Sequence, residues 1–578
     1  MRRAETGRVI EMRRVLEMRR AETRRPLETR RVLILVLALA GALLAGGCAI
    51  PRESAGPQAE SVVAAKPGGA VRVAVTPPGS IDPAGATDPS AQLVVSTMCD
   101  TLVTIDPVTG DPRPGLAQSW IASDGGRSIS FKLRKGLRFS DGSRLTSKEV
   151  VASLRRLADP STASAASSLL ADVAGYSKLG ASTAEDARTL LRGVRAIEPL
   201  SFEVLFERGK HPDFVRALAH PATAPVRADL ADRAPAAFAA APVCSGPYKP
   251  AAPFKPGAAS VRVVRTGGKP DQALEGVARR GAGFADEVDF RVFADAAAGY
   301  GAWRRGEVDV APVPPDQVAQ ARVDGPQAVA VGPSPQVEFI AVPAGSRSPF
   351  PDAESRRALA DALDRNAIAR DVYGGSRAPA TGFLPPSLGR VSRPDACRFH
   401  ASGARPKPPT QPLTLTFNDE FKNRQLAEAV ARQWHDKLGL DVRLVPMAWD
   451  DYVSKASLGQ GLDGLFRMSW SPRYQSGLEY LGPLFFSANG GGSNLERYSS
   501  VEFDRVFEVK ATGAVDERER DLELRGLEDR LCQDVPLIPV LFGQSAVALH
   551  TERVAGARAD GRVLTLAGAP LLRELYVR

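Results

Sequence analysis

Apolar and polar residues alternate in several short stretches from about residue 70 onward, and this pattern predicts β-strands. In a strand, successive side chains point to opposite faces, so a half-buried strand alternates with a period of two. The clearest stretches are Ala70–Val75 (AVRVAV) and Ser128–Leu133 (SISFKL). Further short strands are expected within 285–293 (VDFRVF), at Leu413–Phe417 and at Leu440–Val445.

Between these strands, apolar residues recur at the spacing of an amphipathic helix. One helix is predicted over Ser147–Leu157, with Ser147 as its possible N-cap. Two more are predicted over Asp352–Val372 and Asn423–Leu438, each followed by a glycine that can end a helix, and a charged helix covers Glu517–Cys532. Strands and helices that alternate along the whole chain predict an α/β fold.

The N-terminal region has a different pattern, which is typical of an export signal. An apolar run, Val32–Leu44, follows Arg30 and Arg31 and is followed by the small residues at 45–47. A single transmembrane anchor is the alternative, but it needs about 20 apolar residues and the run is shorter than that. The Met-, Arg- and Glu-rich segment before the run looks like a translation start placed too far upstream, so we leave residues 1–47 out of the fold.

Cys48 stands directly after the small residues and resembles the lipobox cysteine of bacterial lipoproteins. In that motif a leucine usually lies three residues before the cysteine. Here Ala45 holds that place and Leu44 lies one residue earlier. The resemblance implies cleavage before Cys48 and acylation of its thiol, so that residues 48–69, rich in Ala, Pro, Gly and Ser, form a flexible tether to the membrane.

The amino-acid composition bears on which kinds of molecule the protein could bind. The formal net charge is +9, but residues 1–47 contain 11 Arg and 5 Glu, so the remaining chain has 64 basic and 61 acidic residues. No basic cluster there is interleaved with aromatic residues, and a nucleic-acid partner is therefore not indicated. A chain of this length can bury a large core and is expected to form two or three domains.

No arrangement of residues points to catalysis or to a cofactor. The histidines are scattered, without metal-ligand spacing, and Ser245 lacks the GxSxG pattern of a nucleophile elbow. Surface or packing roles are expected for the histidines, which are His211, His220, His400, His435 and His550. Four cysteines remain after Cys48, and in an oxidising compartment they are expected to pair. Four cysteines allow three connectivities.

Several blocks, in this order and spacing, resemble the extracytoplasmic solute-binding proteins of peptide and nickel ABC importers, the oligopeptide- and dipeptide-binding family. The longest contains LAQSW followed by an alternating strand, LRKGLRFSDG and a helix, and SGPY matches a family turn except that Cys244 replaces its first glycine. Together they cover nearly all of residues 70–578. The blocks are Leu116–Leu157, Ser245–Tyr248, Gly306–Asp309, Arg356–Arg365 with Tyr373–Gly375, Asn494–Tyr498, Phe503–Asp504 and Pro536–Pro539.

The resemblance implies a periplasmic-binding-protein-like clamp with two lobes and an additional subdomain. Such a protein captures a peptide or other small solute between its lobes and delivers it to an ABC permease, as a lipid-anchored monomer outside the cell membrane. The alternatives are an exported hydrolase, or a solute-sensing lipoprotein without transport. The implied boundaries are 70–100, 240–333 and 540–578 for lobe I, 101–239 for the additional subdomain and 334–539 for lobe II.

The family layout also implies a pairing of the cysteines. Cys99 and Cys244 would both lie in the first lobe, and Cys397 and Cys532 in or beside the second. Pairing within each lobe leaves the hinge free, so we expect the disulfides Cys99–Cys244 and Cys397–Cys532.

A segment resembling W-x-x-D-Y lies in the cleft of the peptide binders, where its Asp meets the α-ammonium of the ligand. In this chain the segment is Trp470 to Tyr474, and Arg473 replaces the Asp. If Arg473 faces the cleft, it would repel an ammonium and suit a carboxylate or phosphate. The alternative is that Arg473 turns outward or pairs with an acid such as Glu479. The expected ligand-binding residues are therefore Trp470, Arg473 and Tyr474.

Overall fold

The computed structural model describes most of the chain after the N-terminal region. The export signal, Cys48 and almost all of the tether, residues 1–66, lie outside the described residues. Within the described part, no helix combines the length and apolar character needed to cross a membrane. The described residues are 67–123, 126–181, 191–207, 211, 213–267, 283–343, 348–400, 403–457, 462, 464–489, 493–514, 517–556 and 562–578.

The strands fall into one large sheet and three small ones. In chain order they are β1 (Ala70–Val75), β2 (Val103–Ile105), β3 (Pro112–Pro114), β4 (Ala117–Ser123), β5 (Ser128–Leu133), β6 (Val194–Glu198), β7 (Ser201–Leu205), β8 (Tyr248–Pro250), β9 (Ser260–Arg265), β10 (Glu287–Val292), β11 (Val310–Pro312), β12 (Val329–Ala341), β13 (Arg377–Pro379), β14 (Thr414–Asn418), β15 (Arg443–Met447), β16 (Leu465–Trp470), β17 (Leu537–Leu549), β18 (Val554–Gly556) and β19 (Leu575–Val577).

Helices connect most of these strands and cover the faces of the large sheet. In chain order they are α1 (Pro89–Met98), α2 (Ser147–Ala158), α3 (Phe214–Ala217), α4 (Ala228–Arg233), α5 (Pro235–Ala240), α6 (Ala296–Arg304), α7 (Val318–Asp324), α8 (Ala353–Asp361), α9 (Arg365–Asp371), α10 (Phe421–Leu438), α11 (Trp449–Ser457), α12 (Gly477–Phe485), α13 (Val501–Arg505) and α14 (Glu517–Asp534). The fold is therefore α/β, as the sequence predicts.

Two long strands, β12 and β17, hold the large sheet together. The order of the sheet is β15-β14-β16-β12-β17-β11-β1-β10-β9-β8, with β13 also paired to β17. β12 and β17 pair along their length, but the register shifts between Pro333 and Val337. On one side of this shift β17 pairs with β11, and on the other side β12 pairs with β16. The two strands thus join a first half-sheet around β1 to a second half-sheet around β14.

The small four-stranded sheet and each of the two half-sheets pack against separate apolar cores. Residues between 102 and 222 pack around the four-stranded sheet β4-β5-β7-β6, where Phe131 stacks on Phe202 with ring centroids 4.8 Å apart. A second core lies at the first half-sheet. In the second half-sheet, Phe339 and Ile340 of β12 belong to different cores, because neighbouring residues of a strand face opposite sides.

Two of the local predictions need correction. The N-cap of α2 is Thr146, whose side chain and that of Glu149 form a capping box, whereas Ser147 is the first helical residue and its hydroxyl donates to the carbonyl of Glu198. The single helix predicted over Asp352–Val372 is two helices, α8 and α9. Asp364 caps the second one by accepting from the Ala367 amide at 2.9 Å.

Both disulfides join the cysteines that the family layout implies. Cys99 is bonded to Cys244, and Cys397 to Cys532. The first bond lies in the core at the first half-sheet and the second in a core at the second half-sheet. Neither bond links the two half-sheets, whose division into mobile lobes stays a prediction.

Candidate ligand-binding cleft

A cavity of about 1490 Å³ is lined by residues from both half-sheets. The first half-sheet contributes the end of β1, Val73–Thr76, and the segment Pro472–Gln475 comes from directly after β16 in the second. The joining strands contribute Ser334 and Pro335, at the register shift of β12, and Ser545–Val547 of β17. We call this cavity the cleft. Because its walls belong to both halves, a change in their relative position would alter the cleft directly.

One wall of the cleft is the turn that the first disulfide holds against the end of α1. Gly246 has φ +145°, and a β-carbon there would lie 2.0 Å from the Met98 carbonyl oxygen. Only glycine fits such a close approach at this φ. Cys99 is the C-cap of α1, and Tyr248 donates from its phenol to the Ala285 carbonyl at 2.9 Å. The turn residues therefore shape the wall of the cleft.

Two polar groups of this wall have no hydrogen-bond partner among the described residues. They are the Ser245 hydroxyl and Nη1 of Arg265, and both atoms are buried. Nη2 of the same guanidinium pairs with Asp286, whose side chain is exposed. Both residues line the cleft, so the wall there has unused hydrogen-bonding capacity.

The C-terminal segment closes another part of the cleft through Arg573. Its Nε donates to the Thr97 carbonyl at 3.0 Å, its Nη2 to the Cys99 carbonyl at 2.6 Å, and its Nη1 pairs with Asp100 at 2.5 Å. Every nitrogen of this guanidinium is engaged. Asp100 therefore already has a cationic partner within the wall.

Arg473 lines the cleft, but its guanidinium is already engaged. Nε and Nη2 bind the two carboxylate oxygens of Glu479 at 2.7 and 2.6 Å, and Nη1 donates to the Ser168 carbonyl. Burial alone would lower the pKa of Arg473, but the hydrogen bonds and charge of Glu479 outweigh it and raise that pKa. The structure thus has the pairing with Glu479 that the sequence left open, and Arg473 presents a largely neutralised charge to the cleft.

The other two residues of this segment take different positions. Tyr474 lines the cleft and packs against the core formed by residues 102–222. Trp470 is at the end of β16, paired with Val337, and packs against a core of the second half-sheet, so it is not among the described residues that line the cleft. Its indole Nε1 is buried without a partner.

A second group of arginines lines the cleft near β3 and the end of β5. Arg113 lies 3.5 Å from Asp106, whereas Arg134 donates to the carbonyls of Gly115 and Pro114, and Arg138 donates to the carbonyl of Gly142 at 2.8 Å. In the described part of the chain, neither Arg134 nor Arg138 pairs with a carboxylate. We call Arg113, Arg134 and Arg138 the arginine wall. None of its members is among the ligand-binding residues expected from the sequence, where Arg134 and Arg138 belong to the LRKGLRFSDG block.

His220 adds a neutral donor to the cleft. Burial lowers its pKa to about 4, so the imidazole is uncharged near pH 7. Its Nδ1 accepts the Ala222 amide at 3.1 Å, which places the remaining proton on Nε2. No signal in the sequence distinguishes this histidine from the other four.

The described residues contain no group of three or more His, Cys, Asp and Glu side chains that could hold a metal ion. The cleft instead offers arginines, hydroxyls and one neutral imidazole in a lining that is more apolar than polar. Such a lining can bind an organic solute. An α/β protein with a large cleft between two halves that two strands join has the layout of a solute-binding protein.

Comparison with known proteins identifies the family. Residues 111–492 match the bacterial extracellular solute-binding proteins, family 5 (middle region). The chain therefore belongs to this family, which confirms the resemblance found in the sequence. It is a solute-binding protein that acts outside the cytoplasm.

Individual relatives extend the match over most of the chain. A probable deoxycholate-binding periplasmic protein of Escherichia coli, YgiS, is 27% identical over 484 residues, which cover 80% of this chain and 86% of that protein. The periplasmic oligopeptide-binding protein OppA of Salmonella typhimurium is 26% identical over 466 residues, or 76% and 80%. The unliganded open form of the murein tripeptide-binding protein MppA is similar in fold, with a TM-score of 0.73, 21% identity and coverage of 88% and 97%.

Proposed function

We propose that the chain is the lipid-anchored solute receptor of an ABC importer, which captures a peptide or a related small solute in the cleft and delivers it to a permease. The observation that carries the proposal is the lining of one large cavity by both half-sheets. A solute that contacts both halves would stabilise the arrangement in which they are close, and a permease could recognise that arrangement. Two relatives, one described as an oligopeptide-binding protein and one as a probable deoxycholate-binding protein, support a peptide or another small organic solute as the ligand.

Binding is tested on the full-length protein purified in detergent. A ligand that binds the folded state raises the melting temperature by mass action, and the rise grows with ligand concentration. We expect members of a tripeptide library or an amphipathic carboxylate such as deoxycholate to raise it saturably. If no member of such a panel does so at millimolar concentration, the proposed function is wrong.

The lipid anchor is part of the proposal and rests on Cys48. One covalent lipid gives reversible membrane binding, and additional acyl chains make it stable. A bacterium that expresses Cys48→Ala should release the protein from the membrane fraction, whereas the wild type should incorporate labelled fatty acid. Wild-type protein without label would contradict the lipobox interpretation.

The proposal also expects binding without turnover. Peptides incubated with the purified protein should be recovered intact, as mass spectrometry can establish. Hydrolysis that stays with the protein through successive purification steps would favour an exported hydrolase. Transport can be tested separately, because deletion of the cognate permease should abolish solute uptake and leave binding unchanged.

A further inference from the structure

The charges of the cleft are strongly unbalanced. Seven arginines and three acids are among the described residues that line it. The three acids are all engaged, since Asp100 pairs with Arg573, Asp106 lies near Arg113, and Glu574 also has a partner. The described lining therefore offers an ammonium group no unpaired carboxylate.

The arginines divide into a neutralised set and an uncompensated set. Arg265, Arg473 and Arg573 pair with carboxylates, as does Arg216 with Glu517, and Arg113 lies 3.5 Å from Asp106. Among the described residues, Arg134 and Arg138 hydrogen-bond only to backbone carbonyls. Arg138 is exposed and Arg134 half-buried, and both line the cleft without a carboxylate partner among the described residues.

The surroundings of the arginine wall are apolar and can hold a carbon skeleton. Leu137, which lies between Arg134 and Arg138 in the sequence, lines the cleft. Leu93, Ile105 and Leu571 also line it. The volume of about 1490 Å³ exceeds the usual range of roughly 300–1000 Å³ for small-ligand sites. The buried Ser245 hydroxyl and Arg265 Nη1, both without partners, lie on a further wall of the same cavity.

We propose that the solute is an amphipathic organic anion, which places a carboxylate or another oxyanion against Arg134 and Arg138 and its apolar body in the cleft, and which needs no free amino group. This inference rests on the proposed function and specifies the ligand of the same cleft. Guanidinium groups bind oxyanions through charge-assisted, often bidentate hydrogen bonds. A free ammonium gains no such contact, since the acids of the described lining are already engaged.

The test varies ligand charge and cleft charge together. The probes are an equimolar tripeptide library with free termini, the same library N-acetylated, the same library C-terminally amidated, deoxycholate and its methyl ester. Binding is measured by titration calorimetry at low salt on the wild type and on Arg138→Gln. Inorganic phosphate is added as a competitor, to distinguish a carboxylate site from a site that prefers phosphate.

The matched control is Lys135→Gln. Lys135 is exposed, carries the same charge as Arg138, lies three residues away and is not among the lining residues. Arg138 contributes one hydrogen bond, to the Gly142 carbonyl of its own hairpin, so its replacement should leave the fold intact. The melting temperature of each variant without ligand checks this point.

We expect N-acetylation to leave affinity unchanged, whereas loss of the carboxylate by amidation or esterification should weaken binding about tenfold, as for one charge-assisted contact. Arg138→Gln should weaken binding of the acid forms severalfold and reduce the difference between acid and neutral forms, because only Arg134 remains, and Lys135→Gln should do neither. Competition by phosphate, without an effect of amidation, would identify phosphate as the preferred oxyanion.

Neutral forms that bind as tightly as the acids, without competition by phosphate, would overturn the inference and leave the proposed function standing. Loss of binding on N-acetylation would overturn the inference in the same way. Absence of binding by every probe would contradict the proposed function itself, and the inference with it.

Discussion

At the scale of single residues, Glu496 has a buried carboxyl group, whose charged form is disfavoured by burial. It is 1% exposed, and neither of its carboxylate oxygens has a hydrogen-bond partner in another described residue. Burial raises its pKa to about 8. Because an unfolded Glu has a pKa of about 4.3, the unfolded chain loses this proton at lower pH than the folded protein does. The unfolded state is therefore favoured increasingly as the pH rises through this range.

We predict that the contribution of Glu496 to stability falls between about pH 4.5 and pH 8 and then levels off, with a slope of at most about 1.4 kcal/mol per pH unit. Glu496→Gln should remove this slope, so that it matches the wild type near pH 4.5 and is more stable at pH 8.5. Urea denaturation at the two pH values measures the difference. Glu508→Gln, a change at an exposed glutamate, is the control. Parallel pH profiles for wild type and Glu496→Gln would contradict the prediction.

A second prediction concerns Arg473 and its partner. Glu479 has an 11% exposed side chain, so removal of Arg473 would leave a nearly buried carboxylate without its cation. Since Arg473 itself is 35% exposed, we expect Arg473→Ala to cost about 1–2 kcal/mol rather than the larger cost of a fully buried pair. Adding Glu479→Gln should restore most of the loss. Chemical denaturation of the two single variants and the double variant measures the coupling, and additive losses would show that the pair is not coupled.

At the scale of elements, β12 and β16 are joined by a buried ion pair as well as by their backbone. Arg467 of β16 pairs with Glu338 of β12, and its Nη1 donates to the Asn418 side chain at 3.0 Å. The two charged side chains are 10% and 3% exposed. A buried charge without its counter-charge strongly lowers the stability of a protein, whereas replacing both partners by apolar side chains of similar volume is often tolerated.

We predict that Glu338→Leu destabilises the protein by about 3–5 kcal/mol, because it leaves Arg467 buried without a counter-charge. The double variant Glu338→Leu with Arg467→Met should recover most of this loss. Replacing Glu502 by Leu in the exposed Glu502–Arg505 pair should have little effect. Equilibrium unfolding compares the variants, and a double variant as unstable as Glu338→Leu would show that the loss has another cause.

The spacing of apolar residues in the sequence predicts strands and helices well where one face of the element is buried and the other is exposed. β1 and β5 have the predicted bounds, although Ala74 and Ser128 are buried where strict alternation would expose them, and α10 ends before Gly439, which has φ +71°. The two joining strands were not predicted, because residues such as Val337 to Ala341 are buried on both faces and show no alternation. The arginine wall was also missed, since pattern does not reveal which arginines find a carboxylate in the folded chain.

At the scale of the whole molecule, a network of charges links the region around residues 109–216 to helix α14 and to the segment Pro386–Val391. Arg390 lies 2.9 Å from Asp111 and within 3.7 Å of Glu517 and Asp521, while Arg520 pairs with the buried Asp213. Burial raises the pKa of Asp521, and the charge of Arg390 opposes that rise. Arg390 therefore holds together carboxylates that would otherwise repel one another.

We predict that Arg390→Ala lowers stability by about 1–2 kcal/mol at pH 8, where the acids of the unfolded chain are ionised. Without Arg390 the pKa of Asp521 should rise further. The deficit should therefore shrink as the pH falls below about 4, where the acids of the unfolded chain become protonated as well. Hydrogen exchange should also become faster at residues 386–391. Arg505→Ala at an exposed pair is the control, and a loss independent of pH would contradict the electrostatic explanation.

The order of the two disulfides along the chain has a consequence for how the protein is made. Cys99 and Cys244 close a loop of 145 residues that ends before Cys397 begins the second loop of 135. The loops follow one another and do not interlock. Among these four cysteines, a chain that leaves the cytoplasm from its N-terminus therefore presents each one first to its native partner. An oxidant that acts during emergence would form both bonds correctly, with no reshuffling of mispaired thiols.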